Sequence, residues 1–152
     1  MEQLQQTQYV GSPHSENRQT SRMIVLAGTN FYDYDLKVFG KDRILFGRDP
    51  DRCDIVIPMS TISGVHGKIK FANGKTYVGD VGSTNGTYLY RGEIYECMKP
   101  RKYYQKESGD WILRIDAKNH VSNQSAVIIL TDSLQKSAWQ CQTLSEGLTL
   151  IG

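Results

Sequence analysis

The sequence lacks the features that are typical of secreted proteins, of proteins with a structural metal site and of membrane proteins. Its three cysteines, Cys53, Cys97 and Cys141, are widely separated, which fits neither a paired disulfide framework nor a zinc-ligand spacing. No apolar run approaches the roughly 20 residues that a membrane-spanning helix needs. Residues 1–20 contain no basic segment followed by an apolar stretch, so no secretory signal is indicated. We therefore expect reduced thiols, a cytoplasmic location and no membrane partner.

Neither sign of charge dominates, because the chain has eighteen Lys and Arg and sixteen Asp and Glu, which give a formal net charge of +2. Because these charges are interspersed, no overall field favours nucleic acid or a membrane surface. The basic run at 99–102, followed by Tyr103 and Tyr104, could contact nucleic acid by charge and stacking. It is more typical of a solvated loop, so no nucleic-acid partner is predicted. Any anion-binding site must be local.

Helical periodicity is also missing, and short apolar runs between turn residues take its place. These runs predict strands at 23–26, 35–39, 43–46, 54–57, 67–71, 76–81, 87–90, 111–115 and 126–130. Asn73-Gly74 is typical of a tight hairpin turn, and residues 96–108 resemble a longer connection or an irregular edge strand. Many short strands with Gly-rich turns favour an all-β fold, an antiparallel two-sheet β-sandwich with binding loops at one end.

The chain is long enough for one domain with tails. Residues 1–22 have almost no apolar side chains, which predicts a flexible N-terminal tail. The domain itself is expected at 23–132. Residues 133–152 are expected to form a C-terminal hairpin or, because they repeat the spacing of an apolar strand before a glycine, the truncated start of a second domain of the same kind.

Three polar stretches could supply the donors that a phosphate needs. Gly47-Arg48 ends a strand, where the glycine is expected to let the backbone turn, and a guanidinium suits a pair of phosphate oxygens. Ser63 adds a hydroxyl and a backbone N–H. Thr84 and Asn85 lie in a third loop, and the Asn85 amide carries both donors and an acceptor with which to grip an extended peptide.

Gly47-Arg48, the Ser63-x-x-His66 spacing and residues 80–87 resemble the motifs of the forkhead-associated (FHA) domain family, over roughly 23–132. The resemblance implies an FHA/SMAD-like β-sandwich whose apical loops bind phosphothreonine peptides. It also implies roles for single residues: phosphopeptide binding by Arg48, Ser63, Gly64, Thr84 and Asn85, and structural support of the site by Gly47, His66 and Gly86.

Gly64 departs from the family pattern, because members often have Arg or another polar side chain there. A charge-assisted hydrogen bond contributes about 1.5–3 kcal/mol, so its absence would weaken phosphate binding roughly ten- to a hundredfold without abolishing it. Lys68, Lys75 or Arg91 could compensate.

The resemblance implies a phosphothreonine-recognition module in signalling that depends on Ser/Thr kinases, with no cofactor, no metal and no enzymatic activity. Ser63 and His66 lie only three residues apart without a nucleophile-elbow pattern. The alternative is a scaffold domain of the same fold that binds its partner regardless of phosphorylation. A phosphorylated residue of the chain's own N-terminal tail, such as Thr7 or Thr20, could also occupy the site in cis.

Overall fold

The structure is a computed structural model that describes residues 20–107, 109–115 and 126–132. The predicted tail lies outside the described residues up to position 19, and the predicted C-terminal segment at 133–152 lies outside them entirely. Thr20 and Ser21 are buried, and Arg22 begins the first strand. The last three residues of the predicted tail are therefore part of the domain.

The described chain forms two β-sheets whose facing sides share one core. The strands are β1 Arg22–Ala27, β2 Asn30–Asp35, β3 Arg43–Gly47, β4 Ile55–Val56, β5 Gly67–Ala72, β6 Lys75–Asp80, β7 Tyr88–Arg91, β8 Ile94–Cys97, β9 Tyr103–Lys106, β10 Trp111–Ile115 and β11 Ala126–Thr131. One sheet has the order β9-β6-β5-β3-β4 and the other β2-β1-β11-β10-β7-β8. The pair β3 and β4 is parallel, and the other named pairs are antiparallel. The predicted all-β sandwich is confirmed, with this one parallel pair added.

Alternation along the strands sends one face of each sheet into the core. The buried side chains between the sheets include Met23, Val25, Ile44, Phe46, Ile69, Val78, Leu89, Leu113, Ile128 and Leu130. Phe46 of β3 lies so close to β5 that a β-carbon at Gly67 would collide with its ring. This close approach fixes β3 against β5 next to the loops that follow.

The strand predicted at 35–39 is wrong. Asp35 ends β2, and Leu36–Phe39 form a 3-10 helix whose first turn is capped by the Asp35 carboxylate, which accepts a hydrogen bond from the Lys37 N–H. Gly40 ends the helix with a φ of 61°. An aspartate that bonds to the backbone two residues ahead favours a turn over a strand.

Residues 96–108 contain the end of β8 and the whole of β9 within the connection that the sequence predicted. The hairpin predicted at Asn73-Gly74 is confirmed, because both residues have positive φ, 56° and 74°, and join β5 to β6. No helix in the described part of the chain is long and apolar enough to cross a bilayer.

Strand direction brings three loops to one end of the sandwich. The end of β3 and the end of β6 both lie beside the start of β5, since Phe46 and Asp80 each pair with Gly67. The β3–β4, β4–β5 and β6–β7 loops therefore emerge together, and they carry the predicted site residues except Gly47, which ends β3.

Candidate functional site

Backbone hydrogen bonds join the β3–β4 loop to the β4–β5 loop. The N–H groups of Arg48 and Asp49 donate to the carbonyl oxygens of Ser63 and Gly64 at 2.9 and 3.0 Å. A β-carbon at Gly47 would collide with the Gly64 carbonyl oxygen. Gly47 belongs to β3 and is not among the positive-φ residues, so it serves the close approach of the loops rather than the predicted turn.

The buried imidazole of His66 joins the β4–β5 loop to the β6–β7 loop. Its Nδ1 accepts a hydrogen bond from the Ser63 N–H at 3.1 Å, and its Nε2 lies 3.2 Å from the carbonyl oxygen of Gly86. Burial lowers the pKa of His66, although the nearby Asp80 carboxylate opposes this shift. His66 is therefore neutral at pH 7, with its proton on Nε2 and donated to Gly86.

Asp80 organises the β6–β7 loop from within. Its carboxylate accepts hydrogen bonds from the N–H groups of Gly82 and Ser83 at 2.7 and 2.8 Å, and from the hydroxyls of Ser83 and Thr87 at 2.5 and 2.7 Å. Burial raises the pKa of Asp80, but the hydrogen bonds from Ser83, Thr87 and Gly82 outweigh it and hold the pKa below its usual value. The sequence signal for this role was an aspartate two residues before a glycine, as in an Asx-turn.

In the β6–β7 loop, some polar groups bond to the neighbouring loop and others remain exposed to a ligand. The Ser63 hydroxyl oxygen accepts a hydrogen bond from the Thr84 N–H at 2.9 Å, which leaves the Ser63 hydroxyl proton free to be donated to a ligand. The Asn85 amide nitrogen donates to the Thr61 carbonyl oxygen at 2.8 Å. This bond holds the Asn85 side chain between two loops, while its amide oxygen has no donor among the described residues. Thr84 is exposed.

Arg48 is exposed at the start of the β3–β4 loop, and its guanidinium has no ion pair with any described residue. A second guanidinium lies in the same loop. The Nε of Arg52 donates to the Asp49 carboxylate at 2.6 Å, and its Nη2 occupies the space where a β-carbon of Gly64 would be. Sequence reasoning missed Arg52, and the signal that could have found it is the empty position at Gly64.

The three residues that the sequence offered as substitutes for a cation at Gly64 lie elsewhere. Lys68 is on the outer face of β5, with its ammonium over the ring of Tyr103. Lys75 begins β6 at the far end of the hairpin from the loops. Arg91 lies on β7 and pairs with Glu96.

The arrangement is suited to holding an anion. It combines two guanidinium groups, the free proton of the Ser63 hydroxyl and polar groups of Thr84 and Asn85. His66 contacts the Ser63 backbone rather than its hydroxyl, so the two residues do not form a nucleophile and base pair. Within the described ranges, no group of three His, Cys, Asp or Glu side chains could hold a metal ion.

Comparison with known proteins finds similarity between the part of the chain that carries this site and one domain family. The sequence model of the FHA domain matches residues 44–113. FHA domain-containing protein FhaB of Mycolicibacterium smegmatis is 32% identical over 92 residues, which cover 57% of this chain and 55% of that protein. The chain thus spans about half the length of this curated relative.

Solved structures share the fold. The N-terminal FHA domain of S. cerevisiae Rad53p, solved with a phosphothreonine peptide, superposes with a TM-score of 0.53 at 20% identity, covering 72% of this chain and 92% of that one. The FHA domain of an Arabidopsis thaliana hypothetical protein gives 0.52 at 21% identity, covering 78% and 92%. Full-length yeast Pml1p gives 0.52 at 25% identity, covering 72% and 79%.

Proposed function

We propose that this chain contains an FHA domain, and that the domain binds phosphothreonine-containing segments of partner proteins in signalling that depends on Ser/Thr kinases. The match of the FHA model to residues 44–113 supports this proposal. The same fold holds a phosphothreonine peptide in the Rad53p structure. In this chain, Arg48, Ser63 and Thr84 bind the phosphate, and Asn85 holds the main chain of the peptide. Gly64 leaves room for the guanidinium of Arg52 beside the phosphate.

The observation that carries this proposal is the position of Ser63 at the junction of the three loops. Its carbonyl oxygen accepts from Arg48, its N–H donates to His66, and its hydroxyl oxygen accepts from Thr84. The donors around the phosphate are therefore held in place before the ligand arrives. A preorganised site loses less conformational entropy on binding, which increases affinity.

The proposed module binds without catalysing a reaction. A phosphate at pH 7 carries about −1.5 to −2 charges, which two guanidinium groups and several neutral donors complement. The hydroxyl of Ser63 has no general base at hydrogen-bond distance among the described residues, and the imidazole of His66 is buried.

Titration of a phosphothreonine peptide library, with the unphosphorylated peptides as controls, tests this function. We expect binding to require the phosphate, and Arg48→Ala to reduce affinity about ten- to a hundredfold, the effect of a charge-assisted hydrogen bond. Arg91→Ala is the matched control, because it removes an exposed guanidinium on β7, outside the three loops. Equal binding of phosphorylated and unphosphorylated peptides would instead support the phosphorylation-independent scaffold.

A further inference from the structure

The outer face of the five-stranded sheet carries a basic groove that the phosphothreonine site does not use. Lys68 of β5, Gly79 of β6 and Tyr103 of β9 lie in one row across three adjacent strands. Because glycine has no side chain, the middle of this row is a depression between a lysine and an aromatic ring. The depression lies within a cavity of about 270 Å³ that Asp80 and Arg101 also line.

Two lysines approach the exposed ring of Tyr103: Lys68 lines the groove, and Lys70 lies beside it, outside the lining residues. The ammonium groups of Lys68 and Lys70 lie 5.7 and 5.5 Å from the ring centroid of Tyr103. Cation–π contacts hold the two lysines side by side without neutralising them. Neither lysine forms an ion pair with a described residue, so the groove keeps its positive charge.

Arg101 connects the groove to the phosphothreonine site. Its φ is 63°, a conformation that costs a non-glycine residue about 1 kcal/mol or more. A backbone hydrogen bond of 2.6 Å to the Asp80 carbonyl oxygen holds it there. This places the guanidinium about 4 Å from the β-carbon position of Gly82, in the loop that carries Thr84.

The carboxylate that lines the groove does not neutralise it. The hydrogen bonds that the structure gives the Asp80 carboxylate come from Gly82, Ser83 and Thr87 of the loop that follows it. The Asp80 carboxylate is thus directed into the β6–β7 loop. The cations of Lys68, Lys70 and Arg101 remain available to a ligand.

We propose that this groove is a second subsite that binds acidic side chains, Asp or Glu, flanking the phosphothreonine in the same partner segment. This inference rests on the proposed function, because the phosphothreonine brings the acidic segment to the groove. An extended chain advances about 3.3 Å per residue, so a short acidic block beside the phosphothreonine can reach past Gly82. Each exposed ion pair changes affinity by a factor of about 1.5 to 5. Three cations together give an expected preference of about tenfold.

The test compares peptides that share one phosphothreonine core and differ in a four-residue block. The block is Asp/Glu before the core, Asp/Glu after it, or Ser/Gln in either place. We expect one acidic peptide to bind about tenfold more tightly than its neutral counterpart at low salt, and this preference to shrink as salt screens the charges.

The variant Lys68→Gln/Lys70→Gln/Arg101→Gln is expected to lose the preference while still binding the neutral phosphopeptide. Lys37→Gln/Lys41→Gln/Arg91→Gln is the matched control, since it removes the same number of charges from positions outside the groove. If both acidic peptides bind like the neutral ones, or if the two triple variants behave alike, the subsite is refuted.

Loss of binding and loss of preference separate the two proposals. If no phosphopeptide binds more tightly than its unphosphorylated form, the phosphothreonine function fails. In that case the acidic unphosphorylated peptides still decide the groove: discrimination by the groove variant supports it, and equal binding refutes it.

Discussion

The guanidinium of Arg52 takes the place of a side chain at Gly64. A β-carbon at Gly64 would collide with its Nη2, and the Asp49 carboxylate holds the Nε at 2.6 Å. Gly64 follows Ser63 directly, so Arg52 brings a cation to a position beside Ser63 that has no side chain of its own. The two residues therefore act as one unit supplied from two loops.

This relationship predicts that Arg52→Ala lowers affinity for a phosphothreonine peptide about tenfold. A hydrogen bond to a charged group contributes about 1.5–3 kcal/mol, and the lower end applies because the Arg52 side chain is 61% exposed. Fluorescence anisotropy with a labelled peptide measures the change. Arg91→Ala, with a side chain 55% exposed and also ion-paired, is the control and should bind like the parent.

The double variant Arg52→Ala/Gly64→Arg is expected to restore most of the lost affinity. Gly64 does not have a positive φ, so arginine is compatible with its backbone, and removal of Arg52 clears the space. Gly64→Arg alone should bind less well than the double variant, because two guanidinium groups then compete for one position. An unchanged affinity in Arg52→Ala would show that this side chain does not reach the ligand.

Asp80 is predicted to contribute more to the order of the β6–β7 loop than any residue that faces the ligand. Asp80→Ala leaves the N–H groups of Gly82 and Ser83 and the hydroxyl of Thr87 without their acceptor. Each buried unsatisfied group costs about 1–3 kcal/mol, so we expect a loss of roughly 3 kcal/mol, after partial rehydration, in urea denaturation. Faster amide hydrogen exchange at Gly82 and Ser83 should accompany it. Slow exchange retained at both amides would contradict this role.

Because of His66, we expect the folded protein to lose stability when the pH is lowered slightly below neutral. Its folded-state pKa is lowered by burial, so the unfolded state, whose pKa is near 6.5, takes up the proton first. The stabilisation is complete above pH 6.5 and is lost as pH falls through the folded-state pKa. Protonation also removes the Nδ1 acceptor of the Ser63 N–H.

Urea denaturation between pH 8 and pH 5 measures this effect, in a range above the titration of most carboxylates. The parent protein should lose free energy of unfolding below pH 6.5, and His66→Gln should show a flatter profile from a lower starting value. An identical pH dependence in both proteins would assign the effect to another group.

Much of the fold could be predicted because a strand with one buried face alternates apolar and polar residues along the sequence. Lys68-Ile69-Lys70 shows it directly, with Ile69 in the core and both lysines outside. The prediction failed at 35–39, where an apolar pattern of strand length is overridden by the Asp35 cap. It also missed β2, since an Asn-Phe-Tyr-Asp-Tyr-Asp run with partly exposed side chains has no apolar face to recognise.

The loops of the candidate site could be predicted from motif spacing, but not the contacts made within them. Gly47 was expected to let the chain turn, whereas glycine is needed there because a carbonyl oxygen of another loop lies where a side chain would begin. The bond from Asn85 to Thr61 spans 24 residues. The position of Arg52 depends on which way a flexible side chain is held by Asp49. Spacing along the chain contains none of these three pieces of information.

Lys106 connects the two sheets far from the binding loops. It is the last residue of β9 in one sheet, and its ammonium contacts the Asp132 carboxylate, beyond the end of β11 in the other, at 3.0 Å. It also donates to the carbonyl oxygens of Gly109 and Glu107 at 2.5 and 3.2 Å. The Lys106 side chain is 1% exposed and that of Asp132 is 22% exposed, so the ammonium is buried and has one acceptor for each of its three N–H groups.

Breaking a buried pair by removing one partner costs about 3–5 kcal/mol, whereas an exposed pair contributes about 0–1 kcal/mol. We therefore expect Lys106→Ala to lose about 3 kcal/mol in urea denaturation, and Lys41→Ala, which removes an exposed ammonium paired with Asp54, to lose less than about 1 kcal/mol. Lys106→Met/Asp132→Asn should be more stable than Lys106→Met alone, because the carboxylate no longer lacks a partner. Equal losses at Lys106 and Lys41 would show that the buried pair does not hold the sheets together.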